Sequence, residues 1–147
     1  MVLLLIECGG DILLTRQPED GFIPGTWGLP ASVLRKNALP ARRAGRMVRD
    51  ILDTANPLES FRPIRHSITY RDIRAHVYRA VLPPPPRLFT DQSLAWYPHA
   101  RIGRVLTSSI FVKALAAAGR RVVHSDSEKG EESSATNRLR TRTDPRA

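Results

Sequence analysis

The hydrophobic pattern of the chain changes from strand-like to helix-like along its length. Apolar runs at residues 2–6 and 12–15 flank Glu7-Cys8-Gly9-Gly10-Asp11, whose glycines can adopt the positive φ of a hairpin turn, so they predict an opening β-hairpin. Prolines and glycines in the segment Phe22-Ile23-Pro24-Gly25-Thr26-Trp27-Gly28-Leu29-Pro30 forbid a long helix. We expect an ordered loop there that carries Trp27.

Apolar residues recur at helical spacing over residues 39–53, with Pro40 near the start, where its missing N–H does no harm. They predict a helix that turns Met47 and Ile51 toward the core. Gly45 inside it costs about 1 kcal/mol relative to alanine, so it either makes room for a close neighbour or marks a weak helix. The solvent face is predicted to be cationic, with Arg35, Lys36, Arg42, Arg43, Arg46 and Arg49 and no acid between residues 35 and 49.

Residues 64–82 predict two strands joined by a bend at residues 70–72. In the second of these strands, Ile73, Ala75 and Val77 alternate with polar and aromatic side chains, so one face is expected to be core. Residues 94–97 predict a further short strand.

The pattern ends in a helix and a polar tail. Thr107 or Ser108 can cap the helix, and Gly119 suits the left-handed position after its last turn. After about Val123 the chain contains hardly an apolar side chain. We expect a folded domain over residues 1–120 and a disordered basic and polar tail over residues 121–147.

Charge and cysteine content narrow the class of protein. The chain of 147 residues has 23 basic and 14 acidic side chains, and its net charge of +9 favours nucleic acid or another polyanion as a partner, although a solvated basic surface has the same composition. Cys8 is the single cysteine, which excludes an internal disulfide and a cysteine-built zinc site and suits a reducing cytoplasm. The apolar start ends at Glu7 without a basic leader, and no apolar run approaches the roughly 18 residues of a membrane span. We expect a soluble cytoplasmic protein with no membrane partner and no cofactor.

Four short motifs occur in the order found in one known family. They are Gly25-Thr26-Trp27-Gly28-Leu29-Pro30, Arg65-His66-Ser67-Ile68-Thr69-Tyr70, Ala95-Trp96-Tyr97 and Leu106-Thr107-Ser108-Ser109, the last leading to Lys113. The element order resembles the Nudix fold, and over about residues 3–118 the motifs resemble the C-terminal Nudix-like domain of the MutY adenine DNA glycosylases. The resemblance implies an α+β fold, an α/β/α sandwich in which a mixed β-sheet is flanked by helices. It also implies a role in DNA repair through recognition of 8-oxoguanine.

Two departures from these relatives limit the expected chemistry. Nudix hydrolases bind Mg²⁺ through carboxylates on one helix face. The matching positions here are Met47, Asp50 and Ile51, and only Asp50 has a carboxylate, so no metal site is expected. The glycosylase domain of the MutY proteins is missing, and one cysteine cannot ligate a four-iron cluster, so the chain is not expected to be an adenine glycosylase by itself.

The resemblance places the lesion-contacting loop of the family at Ile68, Thr69 and Tyr70. Guanine presents N7 as an acceptor, whereas 8-oxoguanine presents an N7–H donor, so the Thr69 hydroxyl could favour the lesion and Ile68 could wedge against a base. A plain strand threonine and a core isoleucine are the alternatives, and Tyr70 replaces the family's usual histidine. Six arginines could contact phosphates or could simply form a solvated surface. They are Arg42, Arg43, Arg46, Arg49, Arg71 and Arg74.

Three functions remain open on the sequence. The leading hypothesis is a catalytically inactive Nudix-like recognition module that binds oxidised guanine in DNA or nucleotide, or that docks onto a separate repair protein. The second is a divergent Nudix hydrolase of a nucleoside diphosphate derivative, which would use Asp50 with acids such as Glu59 or Asp91. The third is a protein-interaction module that uses the fold as a scaffold. His66 is expected to be a structural histidine, because no paired nucleophile lies at a recognisable spacing.

Overall fold

The computed structural model describes residues 1–17, 25–68, 71–106, 108–120 and 122. The strands of this part of the chain are β1 (Val2–Cys8), β2 (Asp11–Arg16), β3 (Trp27–Gly28), β4 (Ala31–Ser32), β5 (Glu59–Ser60), β6 (Ile64–Ile68), β7 (Arg71–Leu82) and β8 (Leu94–Pro98). The helices are α1 (Pro40–Leu52), a 3₁₀ helix (His99–Arg104) and α2 (Ser109–Ala117).

Strand β1 is the centre of a mixed sheet. It pairs antiparallel with β2, with Cys8 opposite Asp11, and Gly9 in the intervening turn has a φ of +61°, which confirms the predicted hairpin. On its other side β1 runs parallel to β7, with Leu5 opposite Arg79. The sheet extends from β2 to β3 and β8, and from β7 to β5 and β6. Strand β4 pairs with the start of β1, where Leu3 lies opposite Ala31.

Successive residues of β1 point to opposite faces of the sheet, and each face is covered by a helix. Val2, Leu4 and Ile6 pack with α1 in what we call the α1-side core. Leu3 and Leu5 pack with α2 and the 3₁₀ helix in the α2-side core. Every residue of β1 is buried because both faces are covered. The α/β/α sandwich with a mixed sheet is therefore confirmed.

Helix α1 occupies the predicted region. It starts at Pro40 and ends at Asp53, whose φ of 59° is left-handed and whose N–H donates to the carbonyl of Arg49 at 2.8 Å. Met47 is 7% exposed and Ile51 packs against the α1-side core, so the predicted orientation of both residues is confirmed. A Cβ at Gly45 would meet nothing within 4 Å, which shows that the close-neighbour explanation for this glycine is wrong.

The structure also contains elements that the sequence did not predict, beside those that it did. Helix α2 is followed by Gly119 with a φ of +79°, as predicted, and Ser108 occupies the N-cap position without a side-chain hydrogen bond to the helix. Trp27 lies in β3 and not in a loop, because its backbone pairs with Arg16. The short strands β4 and β5 and the 3₁₀ helix were not predicted. No helix in the described part of the chain is long and apolar enough to cross a membrane. Apart from Val122, the predicted tail lies outside the described residues.

Candidate functional site

A cavity of about 660 Å³ lies beside the start of β1, within the size range of small-molecule sites. Its walls come from four separate parts of the chain: the end of β2, the start of β4, the second half of α1, and the segment before β8. The lining residues are Thr15, Arg16, Gln17, Pro30, Ala31, Met47, Asp50, Ile51, Asp53, Arg87, Leu88, Phe89, Thr90, Asp91, Ser93 and Leu94.

Arg87 fixes one wall of this cavity to the C-terminal end of α1. Its guanidinium donates to the carbonyl of Leu52 and to a carboxylate oxygen of Asp53 at 3.0 Å. A cation is favoured at this end of a helix, where free carbonyl groups carry partial negative charge. The backbone carbonyl of Arg87 accepts a hydrogen bond of 2.6 Å from Nε1 of Trp96, so the segment is held from both sides.

The cations of the cavity are paired with aromatic rings. The guanidinium carbon of Arg87 lies 5.8 Å from the ring centroid of Phe89, and that of Arg16 lies 5.9 Å from the ring centroid of Trp27. Both distances are within the range of cation–π attraction. Each arginine is exposed, so each can also reach an anion that enters the cavity. The cavity therefore offers two cations beside apolar and aromatic surface.

Three carboxylates line the same cavity, and two of them have partners within the protein. Asp53 receives the hydrogen bond from Arg87. Asp91 accepts from the N–H of Ser93 at 2.9 Å and from its hydroxyl at 2.7 Å. These bonds to Ser93, the backbone one first, hold the pKa of Asp91 below its usual range and keep it anionic. Asp50 is exposed on α1.

This donor set does not fit a divalent metal site. Such a cation needs several oxygen ligands that converge on one point. Among the residues with described positions, no three His, Cys, Asp or Glu side chains are grouped so that they could hold a metal ion. Met47 and Ile51, which occupy two of the three helix carboxylate positions of Nudix hydrolases, are apolar and packed into the α1-side core.

Gln17 is a polar residue of the cavity that the sequence pattern did not single out. It directly follows β2 and is 7% exposed. Its N–H donates to the carbonyl of Thr26 at 2.7 Å, and its carbonyl accepts from the N–H of Gly25 at 3.2 Å. Its side-chain Nε2 donates to the carbonyl of Leu29 at 3.5 Å. A single glutamine after a strand gives no local signal of function, so only its burial beside the cavity identifies it.

The predicted arginines of α1 line a separate groove of about 690 Å³ that extends from the segment before the helix to its last turn. The groove is lined by Asn37, Ala38, Leu39, Arg42, Arg43, Arg46 and Arg49. The Nε of Arg43 donates to the hydroxyl of Ser32 at 2.8 Å, which ties the groove to β4. Leu39, which lines the groove, is 60% exposed. No carboxylate in the described ranges forms an ion pair with these arginines, and Arg42, Arg46 and Arg49 are exposed.

The remaining predicted residues belong to β6, to β7 and to the two residues between these strands in the sequence. Ile68 is the last residue of β6 and pairs with Arg71, while Thr69 and Tyr70 lie outside the described residues. Arg71 and Arg74 line a third groove, of about 380 Å³, with Val33. Because Val33 directly follows the Ser32 that contacts α1, the two arginine grooves flank one end of β4. None of the five predicted arginines, which are Arg42, Arg43, Arg46, Arg71 and Arg74, lines the 660 Å³ cavity.

Two other residues named from the sequence lie away from this cavity. His66 is 9% exposed, with Nδ1 at 3.2 Å from Nζ of Lys113. Burial and, second, the charge of Lys113 lower the pKa of His66, so the neutral ring accepts from the ammonium as a structural residue does. Glu59 forms an ion pair with Arg79 where β5 meets β7 and does not line the cavity. Of the acids suggested for a hydrolase, the cavity brings together Asp50 and Asp91.

Solved structures share this architecture. The C-terminal domain of mouse MUTYH, in complex with human PCNA, matches with a TM-score of 0.64 at 16% identity over 80% of this chain and 85% of that chain. The NUDIX domain of Shewanella oneidensis NrtR, complexed with ADP ribose, matches with a TM-score of 0.63 at 14% identity over 80% and 84%. The E. coli dihydroneopterin triphosphate pyrophosphohydrolase matches with a TM-score of 0.62 at 15% identity over 78% and 90%. These likenesses establish the fold. No protein-family model and no curated protein sequence matches the chain.

Proposed function

We propose that this Nudix-fold chain is a recognition module that binds oxidised guanine, as a free nucleotide or within DNA, without hydrolysing it. The observation that carries the proposal is the composition of the 660 Å³ cavity. Arg16 and Arg87 offer charge to phosphate groups beside aromatic surface, whereas Asp53 and Asp91 are engaged by neighbouring residues. Binding of a nucleotide needs cations beside apolar surface, whereas metal-assisted hydrolysis needs several carboxylates that converge on one point, and the described residues form no such group.

The structural neighbours support a ligand that carries phosphate groups. The NrtR domain is complexed with ADP ribose, and the E. coli enzyme is a pyrophosphohydrolase of dihydroneopterin triphosphate. Both ligands combine a heterocycle with phosphates, which is the combination of aromatic and cationic surface in this cavity. The specific choice of oxidised guanine is supported by the resemblance to the MutY domain and by the MUTYH neighbour.

Within DNA, we propose that the strand around the lesion binds along the two arginine grooves and residues 68–70. Arg42 and Arg43 lie in the first turn of α1, where the helix dipole adds to their positive charge, and Arg46 follows one turn later in the same groove. Arg71 and Arg74 continue the basic surface on the other side of Val33. Ile68, Thr69 and Tyr70 are proposed to contact the damaged base or its neighbours.

The first experiment measures nucleotide binding. Isothermal titration of 8-oxo-GDP and GDP should show tighter binding of the oxidised form. Arg16→Ala should weaken 8-oxo-GDP binding by about 10-fold, the loss of one charge-assisted hydrogen bond at an exposed position. Arg62→Ala is the matched control, because Arg62 is also exposed and lines neither the 660 Å³ cavity nor either of the two arginine grooves.

The second experiment measures duplex binding across a salt series. A fluorescent duplex that carries 8-oxoguanine should bind more tightly than its undamaged twin. The triple variant Arg42→Ala, Arg43→Ala, Arg46→Ala should reduce the slope of log K against log salt by about 2–3, since each lost phosphate contact accounts for about 0.9. If neither the oxidised nucleotide nor the damaged duplex binds better than its normal counterpart, the proposal is wrong.

A divergent hydrolase is the second candidate, because the exposed Asp50 and the anionic Asp91 line the same cavity. Magnesium-dependent release of phosphate from a panel of nucleoside diphosphate derivatives would support it. Asp50→Asn should then abolish the release. Absence of turnover across the panel by a sample that binds nucleotide would remove this candidate and leave recognition.

A further inference from the structure

We propose that Gln17 reads the base edge of the bound nucleotide and selects 8-oxoguanine against guanine. This inference rests on the proposed function and deepens it by naming the group that distinguishes the two bases. Its starting point is a buried amide that lines the 660 Å³ cavity, although polar side chains are seldom buried without a full set of hydrogen bonds.

The backbone of Gln17 is fixed on both sides, which positions the side chain before any ligand arrives. Its N–H and carbonyl are both engaged, with Thr26 and with Gly25 respectively. Arg16, immediately before it, is paired with Trp27 across the β2–β3 ladder. A polar group on such a rigid support loses little conformational freedom when it binds, which is what base discrimination requires.

The amide has hydrogen-bonding capacity to spare. A glutamine side chain has two N–H donors and an acceptor oxygen. One N–H donates to the carbonyl of Leu29 over a long 3.5 Å, and no other hydrogen bond of this side chain is formed within the described part of the chain. Among the described residues, no other group engages the acceptor oxygen and the second N–H, and we assign both to a ligand in the cavity that Gln17 lines.

This donor–acceptor pair fits the oxidised base and not the normal one. Guanine presents two acceptors side by side, N7 and O6. Oxidation at C8 places a proton on N7, so the same edge offers a donor between the acceptors O6 and O8. The Gln17 oxygen can accept from N7–H while its N–H donates to a neighbouring carbonyl. With guanine, the amide oxygen would face N7 with no proton between them, and one bond would be lost.

The other walls of the cavity suit the rest of the nucleotide. Met47, Ile51 and Phe89 supply apolar surface for the faces of the base. Arg16 and Arg87 supply charge for the phosphates. The base faces and the phosphates make the same contacts in both nucleotides. The difference in affinity between 8-oxo-GDP and GDP is therefore set by the group that contacts the base edge.

The experiment compares the affinities of wild type, Gln17→Leu and Gln17→Met for 8-oxo-GDP, GDP and ADP by isothermal titration. Wild type should prefer 8-oxo-GDP over GDP by between about 5-fold and about 150-fold, the range for one bidentate contact to a base. Both variants should bring this ratio below about 3-fold, because losing the amide weakens binding of 8-oxo-GDP by two hydrogen bonds and binding of GDP by one. The unbranched methionine variant covers the case in which leucine disturbs the fold. Gln92→Leu is the matched control, since Gln92 is exposed near the cavity without lining it.

The outcomes separate this inference from the function on which it rests. A wild-type preference for 8-oxo-GDP that survives in Gln17→Leu or Gln17→Met overturns the role of Gln17 and leaves the proposed function intact. Equal binding of 8-oxo-GDP and GDP by wild type overturns the proposed function. An amide also fits the N6/N7 edge of adenine, so tighter binding of ADP than of 8-oxo-GDP would likewise overturn the assignment to oxidised guanine.

Discussion

Replacing Gly28 with alanine should destabilise the domain, because the added methyl group would overlap the ring of Phe111. A Cβ at Gly28 would lie 2.4 Å from Cε2 and 2.6 Å from Cζ of this ring. Phe111 is 1% exposed and packs in the α2-side core, so its ring has no solvent-filled space into which it can move.

The magnitude follows from the overlap. Non-bonded carbon atoms prefer a separation of about 3.5–4.0 Å, so either the ring or β3 must shift by more than about 1 Å. Overpacking of this kind costs about 1–3 kcal/mol. At about 4 °C per kcal/mol for a domain of this size, the thermal midpoint should fall by about 4–12 °C. Because Gly28 pairs with Thr15 beside the cavity, nucleotide affinity should fall as well.

Urea denaturation followed by circular dichroism measures the free energy of unfolding. Gly45→Ala is the control, because it makes the same chemical change in open space within α1 and should stabilise the domain by about 1 kcal/mol. In a Phe111→Leu background, the cost of Gly28→Ala should shrink by at least about 1 kcal/mol, since the smaller side chain leaves room for the methyl group. A Gly28→Ala variant within about 0.5 kcal/mol of wild type would refute this reasoning.

Two further predictions concern the end of α1 and the buried histidine. Asp53→Gly should be more stable than Asp53→Ala by about 1 kcal/mol in urea denaturation. Both variants lose the Arg87 contact, but only glycine adopts the left-handed φ of this position without strain. Equal stabilities of the two variants would contradict this prediction. The pKa of His66, measured by NMR, should lie below the unfolded value of about 6.5. Between these two pKa values the native state binds fewer protons than the unfolded state. The free energy of unfolding should therefore fall as the pH drops from about 6.5 toward the folded pKa. Lys113→Met should raise that pKa, and a wild-type pKa at or above 6.5 would disprove the predicted shift.

The long elements of this fold could be predicted from the sequence because their signals are local. Helix α1 has apolar residues at helical spacing over more than three turns, and the inward orientation of the buried Met47 and the partly buried Ile51 could be assigned from that spacing alone. The β1–β2 hairpin depends on glycines at its turn, and the end of α2 depends on Gly119. Each signal lies within the element that it specifies, so neighbouring residues are sufficient to read it.

The two-residue strands β3, β4 and β5 depend on partners that are distant in sequence, so no local pattern could predict them. The requirement for glycine at position 28 has the same origin, since the ring that excludes a side chain belongs to Phe111 in α2. The sequence motif that includes this glycine was visible, but the reason for it was not.

Only the tertiary structure determined where the candidate cavity lies and which residues line it. Its walls come from four segments between residues 15 and 94, and burial of the Gln17 amide arises only when β3 and Leu29 close over the end of β2. The sequence by itself determined that α1 has an arginine face and lacks the carboxylates of a metal-binding helix, because both are properties of side-chain identity and helical periodicity. Which of those charges share a groove, and which residues meet a ligand, depends on contacts between distant segments that form only when the sheet assembles.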